Sequence, residues 1–257
     1  MAAGGRRPKI IVIVGPTASG KSALAMRLAE AFNGEIIAAD SRTVYKGMDI
    51  GTAKPTKTEQ AKIPHHLLNL IEPDQKFSAG QFKKCAERVI TDIQKRGRLP
   101  IVVGGTGLYI DSLIFDYQFD PDGGRDPRNP RHRLKKFNTD QRLRPGVVVI
   151  GLQPTTTNHQ SQIERRIERM LEQGLIDEVV NLAQKYPSDL EAFKAPGYQP
   201  FWQYVNGQID LETAKQLFIQ ADLKLAKKQR TWFKRNPHIR WFGSPKQAYG
   251  FIAKTFE

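Results

Sequence analysis

The stretch "IIVIVGPTASGKSALAMRLAE", residues 10–30, runs from an unbroken apolar segment through a glycine-rich turn into a helical pattern. Five apolar residues without alternation predict a strand buried on both faces. The turn "GPTASGKS" (15–22) fits G-x-x-x-x-G-K-[ST]. Its glycines let the backbone curl so that successive N–H groups point inward, and the positive end of the following helix adds to their field. A turn of this kind holds a diphosphate or a longer phosphate chain. Gly15, Pro16, Thr17, Ala18, Ser19 and Gly20 form the cradle, Lys21 reaches the outer phosphate, and Ser22 is placed to hold Mg²⁺.

Outward from the turn, apolar runs of strand length recur at 35–39 (EIIAA), 66–71 (HLLNLI), 99–103 (LPIVV) and 146–152 (GVVVIGL). Helical patterns separate them at 22–32 and at 79–96, where Phe82, Ala86, Val89, Ile90 and Ile93 fall on one face. Strands alternating with helices predict an α/β fold, a parallel sheet with helices on both sides. After residue 158 the pattern is helical. Ile163, Ile167, Met170, Leu171 and Leu175 make an apolar face, and 212–234 reads as a second long helix. Between Phe119 and Pro145 the segment "FDPDGGRDPRNPRHRLKKFNTDQRLRP" carries many Arg and Lys and almost no apolar periodicity, as expected of a basic loop or short helix.

A phosphate turn that hydrolyses nucleotide usually works with a second strand ending in Asp beside the metal. Here "LPIVV" ends in "GGTGLY", and "GVVVIGL" carries no acid. The well-placed carboxylate is Asp40, at the end of "EIIAAD". Ends of parallel strands face the ligand crevice in such sheets, so Asp40 and Thr106 are expected to point toward the phosphate site. Helix capping and Mg²⁺ binding remain open as other uses of Asp40.

The chain of 257 residues carries 40 Lys and Arg against 26 Asp and Glu, a formal charge of +14. That field favours polyanions, nucleic acid first. The single cysteine, Cys85, excludes an intramolecular disulfide and a cysteine-based zinc site. No apolar run approaches the length of a membrane span, and the short apolar stretch after "MAAGGRRPK" is strand-like. The expectation is a cytoplasmic chain with a disordered start over 1–8. His65 and His66 are adjacent and so point to opposite faces of a strand; they are expected to make structural hydrogen bonds. Trp232, Phe233, Trp241 and Phe242 are of a type that stacks on bases, but at a helix end and a terminal strand they are expected in the core.

Several strings together carry a resemblance. "GPTASGKS", "IIAADSRTVYKGMDIGTAKP", "IPHHLLNLIEP", "FSAGQF" and "PIVVGGTGLYI" are similar, in order and spacing, to the signatures of the tRNA dimethylallyltransferases, also called tRNA isopentenyltransferases. "IERRIERMLEQGLIDEV", "GYQ" and "AKKQRTWF" match more loosely. The resemblance spans most of residues 9–242. It implies a P-loop NTPase-like core over 9–118 and 146–257 with C-terminal helices. It also implies that the turn holds the diphosphate of dimethylallyl diphosphate rather than ATP. The exocyclic amine of an adenine beside the tRNA anticodon would attack the allylic carbon, with Asp40 as general base and Thr106 at the reaction centre. By the same resemblance Asp40, Ser41, Arg42, Thr43, Thr106, Arg131 and Lys135 contact tRNA, Lys228 contacts the diphosphate, and Mg²⁺ assists.

Departures from the family pattern stand out. Thr43 replaces a usual Gln. Within Asp222-Leu223-Lys224-Leu225-Ala226-Lys227-Lys228-Gln229, Leu223 and Lys228 replace two arginines, and Lys224 is a candidate stand-in. The family's helical insertion is reduced here to a basic remnant over 119–145, whose Arg128, Arg131, Arg133, Lys135 and Lys136 are expected to grip tRNA. A solvated loop is the other reading of that run. Two further functions stay open: transfer to free AMP, ADP or ATP, and a non-catalytic RNA-binding protein. A monomer is expected.

Overall fold

The computed structural model describes residues 8–119, 142–154 and 156–256, with side chains of 156–158 left aside. Arg131 and Lys135, the other expected cations of the remnant and the first seven residues lie outside these. Among the described residues the strands are β1 (Ile10–Val14), β2 (Gly34–Ala38), β3 (His65–His66), β4 (Leu99–Gly104), β5 (Val147–Leu152) and β6 (Arg240–Phe242). They form one sheet in the order β3-β2-β4-β1-β5-β6, every pairing parallel.

Alternation along β1 explains why a continuous apolar run was needed. Ile11 and Ile13 point to one face, where they meet Leu24 and Leu28 of α1 (Lys21–Ala31), Ile101, Ile150 and Ile252. Ile10, Val12 and Val14 point to the other, against Phe82, Ile90, Val102 and Ile110. Each face therefore has its own helical cover. After α1 comes α2 (Lys57–Lys62); α3 (Ala79–Lys95) and α4 (Gly107–Ile114) then cover the Val12 face, while α1 and the last helix, Pro245–Lys254, cover the Ile11 face. A capping box, Ser78 with Gln81, starts α3 as the first-turn chemistry requires.

A third cluster lies beyond the sheet. It joins α5 (Thr156–Glu172), α6 (Leu175–Ala183), α7 (Gln199–Val205) and the first half of α8 (Leu211–Phe233) to Val44, Tyr45 and Met48, which follow β2. Ile163, Ile167, Met170 and Leu175 are buried here, as their spacing predicted. The helix α8 belongs to two cores, with Phe218 in this cluster and Phe233 against the sheet. It thus fixes the helical layer relative to the strand ends. The final helix is α9 (Pro245–Lys254).

One expected strand is mostly absent. Of the stretch 66–71, only His66 belongs to β3; Leu67 and Asn69 take positive φ, 64° and 54°, and Ile71 forms an isolated bridge with Tyr45. Apolar content alone predicted a strand, but this stretch turns to wrap the 43–46 backbone, with Asn69, Leu70 and Ile71 donating to Thr43 and Val44 carbonyls. His65 and His66 bond as expected: His66 Nε2 lies 2.6 Å from Glu35 Oε2 and His65 Nδ1 lies 2.7 Å from the Ile63 carbonyl. Glu35 is 2% exposed and is held ionised, below the usual carboxylate range against the cost of burial, by Arg96, His66 and Arg98.

Candidate active site

A crevice of ≈ 1720 Å³ opens at the carboxyl ends of β1, β2 and β4, the position expected for a ligand in an open parallel sheet. Thr17 to Ser22, Asp40 to Thr43 and Gly104 to Gly107 line it from the sheet; Arg166, Asp222, Lys224, Lys228 and Gln229 line it from the helical layer.

The phosphate turn is shaped by backbone strain that its sequence tolerates. Gly15 and Gly20 sit at φ 147° and 86°, and Ala18 at 56°. Among the described residues the amides of Ala18, Ser19 and Gly20 donate to no protein group, leaving them for an anion at the N-terminus of α1. Lys21 Nζ folds back onto the Pro16 carbonyl at 2.5 Å. Burial pulls this ammonium down to about 8; Asp40 and Asp222 oppose that pull and Arg166 adds to it. The Ser22 hydroxyl is exposed and unbonded among the described residues.

Thr17, at the middle of the turn, is fixed from three directions. Its N–H donates to Gln229 Oε1 at 2.8 Å, its carbonyl lies 2.7 Å from His159 Nε2, and its hydroxyl lies 2.8 Å from Arg166 NH1. The same guanidinium nitrogen pairs with Asp222 Oδ2 at 2.7 Å. Gln229 also donates from Nε2 to the Gly105 carbonyl at 3.2 Å, so one side chain of α8 ties the phosphate turn to the "GGTGLY" turn. That turn needs its glycines for this docking: a Cβ on Gly105 would lie 2.1 Å from Gln229 Nε2, and one on Gly107 would lie 2.2 Å from the Trp232 ring. Trp232 is held in turn by Asp111, whose Oδ2 accepts its indole N–H at 2.7 Å and whose carboxyl burial pushes up to about 7.

At the acid end the expected residues come together. Thr106 Oγ1 accepts the Ser41 N–H at 2.9 Å and lies 3.3 Å from the Ser41 hydroxyl. Asp40 Oδ1 accepts the Arg42 N–H at 2.8 Å, a local turn that leaves Oδ2 without a partner among the described residues. Thr43 is buried, and its hydroxyl turns back toward the Asp40 carbonyl. The Arg42 guanidinium reaches the Glu191 carbonyl at 2.5 Å and its carboxylate at 3.4 Å. Lys224 and Lys228 are exposed along the crevice wall, and Leu223 packs into the helical core instead. Glu178 of α6 holds the 49–51 stretch of the rim by accepting the N–H groups of Asp49, Ile50 and Gly51.

By sequence, Asp40 is the well-placed acid. The fold adds Asp222, 2% exposed beside the phosphate turn, with Arg166 and His159. All three reside on α5 or α8 and reach the turn only through the packing of the helical layer, which no local pattern places there. The arrangement can hold a phosphate group at one end of the crevice and accept a proton at the other. No cluster of three His, Cys, Asp or Glu suited to a metal occurs among the described residues. A hard cation here would therefore take oxygen from Ser22, phosphate and water, which is how Mg²⁺ is commonly held.

Comparison with known proteins gives a consistent result. The model of the IPP transferase family matches residues 43–143 and 128–236. The tRNA dimethylallyltransferase of Anoxybacillus flavithermus is 36% identical over 279 aligned positions, covering 91% of this chain and 90% of that protein. The solved tRNA isopentenylpyrophosphate transferase of Bacillus halodurans superposes with a TM-score of 0.80 at 32% identity, covering 97% of both chains. The tRNA isopentenylpyrophosphate transferase of Staphylococcus epidermidis gives 0.82 at 33% identity, covering 97% of this chain and 99% of that one.

Proposed function

The chain belongs to the IPP transferase family, and we propose that it transfers a dimethylallyl group from dimethylallyl diphosphate to the exocyclic amine of the adenine 3′ to a tRNA anticodon. The observation that carries this reading is a single crevice with an anion cradle at one end and an unspent carboxylate oxygen at the other.

The turn amides and Lys21 hold the donor's diphosphate and take up the charge that grows on it as it leaves. The amine nitrogen forms a bond to the allylic carbon while the carbon–oxygen bond to diphosphate breaks. The proton shed by the amine passes to Asp40 Oδ2, the oxygen free of the Arg42 bond. Ser41 and Thr106, bonded to one another, set the rim at which the base enters, with Thr43 behind them. Such an entry requires the base to leave its stack. Mg²⁺, held by Ser22, would neutralise diphosphate charge when bound. Arg42 is steadied by Glu191, and Lys228 with Lys224 adds cationic charge along the wall.

Residues 119–145 are read as a shortened remnant of a tRNA-gripping insertion, with Arg131 and Lys135 as its phosphate contacts. Two facts support this. The family match breaks into pieces that overlap within this segment. In addition, 279 aligned positions are covered by 91% of a 257-residue chain, so several dozen positions of that relative have no counterpart here. The +14 charge supports a polyanionic acceptor. No described helix is long and apolar enough to cross a membrane. A cytoplasmic monomer is the reading carried forward.

The test is incubation with dimethylallyl diphosphate, Mg²⁺ and an unmodified tRNA bearing adenine 3′ to its anticodon, with AMP in parallel, followed by nucleoside mass analysis. Prenylated adenosine from the tRNA alone is expected. Product from AMP alone would overturn the acceptor, and no product from folded protein would overturn the activity.

A further inference from the structure

The crevice lined by Lys21, Arg166, Lys224 and Lys228 also contains a buried acid. We propose that Asp222 weakens the hold of the phosphate turn on diphosphate and so speeds release of the product, an inference that rests on the turn binding diphosphate. Asp222 is 2% exposed and lines the crevice. One oxygen, Oδ2, is 2.7 Å from Arg166 NH1; the other accepts no hydrogen bond among the described residues. That same NH1 lies 2.8 Å from the Thr17 hydroxyl, so the acid stands one residue behind the turn. Its charge reaches Lys21, whose proton it helps retain.

Two consequences follow from Coulomb's law in a poorly solvated site. Arg166 meets an incoming anion already half-neutralised, and Asp222 itself repels the anion. Both effects grow with ligand charge. Free diphosphate gains a charge when its bond to the prenyl group breaks, so the product is repelled more than the donor. The Arg166–Thr17 contact is separate from this repulsion and holds the turn in shape.

The experiment measures binding of inorganic diphosphate with Mg²⁺ by titration calorimetry, using the full chain. Asp222→Asn retains an acceptor for Arg166 and removes the charge. Its dissociation constant is expected to fall about tenfold, equivalent to ~1.4 kcal/mol, and product inhibition by diphosphate to deepen by a similar factor. The donor KM is expected to fall less.

Removal of a partner from a buried pair can prevent folding, so the comparison is repeated between Arg166→Gln and the double variant Arg166→Gln/Asp222→Asn. There the double variant is expected to bind diphosphate more tightly than the single one. An Asp222 that only orients Arg166 would have no effect in that background, and an unchanged or weaker affinity overturns the inference. Wild-type protein that binds no more diphosphate than Lys21→Ala would instead overturn the reading of the turn itself, and this inference with it.

Discussion

At the phosphate end of the crevice, Thr17 is held by residues 142, 149 and 212 positions further along the chain. At the acid end, Asp40 is held by Arg42 two residues away and Ser41 by Thr106 65 positions on, while the Arg42 side chain alone reaches the helical layer, at Glu191 149 positions away. The first end owes its shape to the helical layer; the second is set by two strand-end turns on adjacent strands, β2 and β4. A substitution in α5 or α8 should therefore be felt as phosphate affinity, and one in the 40–43 or 104–107 turns as chemistry.

The largest effect that could break this division lies at Asp40. Asp40→Asn keeps an acceptor for the Arg42 N–H and removes the base, so kcat should fall ~10²- to 10⁴-fold with diphosphate binding retained. Steady-state kinetics on tRNA would show it, and an unchanged kcat would remove the base from this account. Lys21→Ala acts at the opposite end: transfer should fall ~10²- to 10³-fold, together with diphosphate affinity measured by calorimetry.

A pH titration sharpens the comparison. Burial depresses Lys21 to about 8 in the free protein. As pH rises past that value the cradle loses its positive charge, and donor affinity should fall by roughly tenfold per unit. Stability should respond in the opposite sense. Between about 8 and the ordinary lysine range the unfolded chain binds more protons than the folded one, so this group's contribution to the unfolding free energy rises with pH. Smallest is Gln229→Ala, which leaves the Thr17 N–H without its partner. It should cost about 1–2 kcal/mol in denaturant unfolding and loosen diphosphate binding, with little change at Asp40.

The same division explains what could be read from the sequence. The phosphate turn, Asp40, Ser41 and Thr106 are short motifs whose chemistry follows from residues a few positions apart. The alternation of apolar runs with helical patterns gave the parallel sheet, because each strand had to be apolar on both faces. The place of Arg166, Asp222 and His159 beside the phosphate turn was not legible, because only docking of α5 and α8 over the strand ends brings them to Thr17. The stretch 66–71 misled for a related reason, since its apolar side chains serve a turn packed on a neighbouring loop rather than a ladder. Thr43, a tRNA contact by the resemblance, lines the crevice but is buried, with its hydroxyl turned toward the Asp40 carbonyl.

The most direct test of the division is the affinity of Asp40→Asn for inorganic diphosphate, measured by calorimetry on protein whose transfer activity has been assayed in parallel. Asp40 lends Lys21 part of its charge balance without touching the cradle. The account predicts a dissociation constant equal to or below that of the wild type alongside lost transfer. Diphosphate affinity lost together with transfer would show that the two ends are one structural unit, and would contradict it.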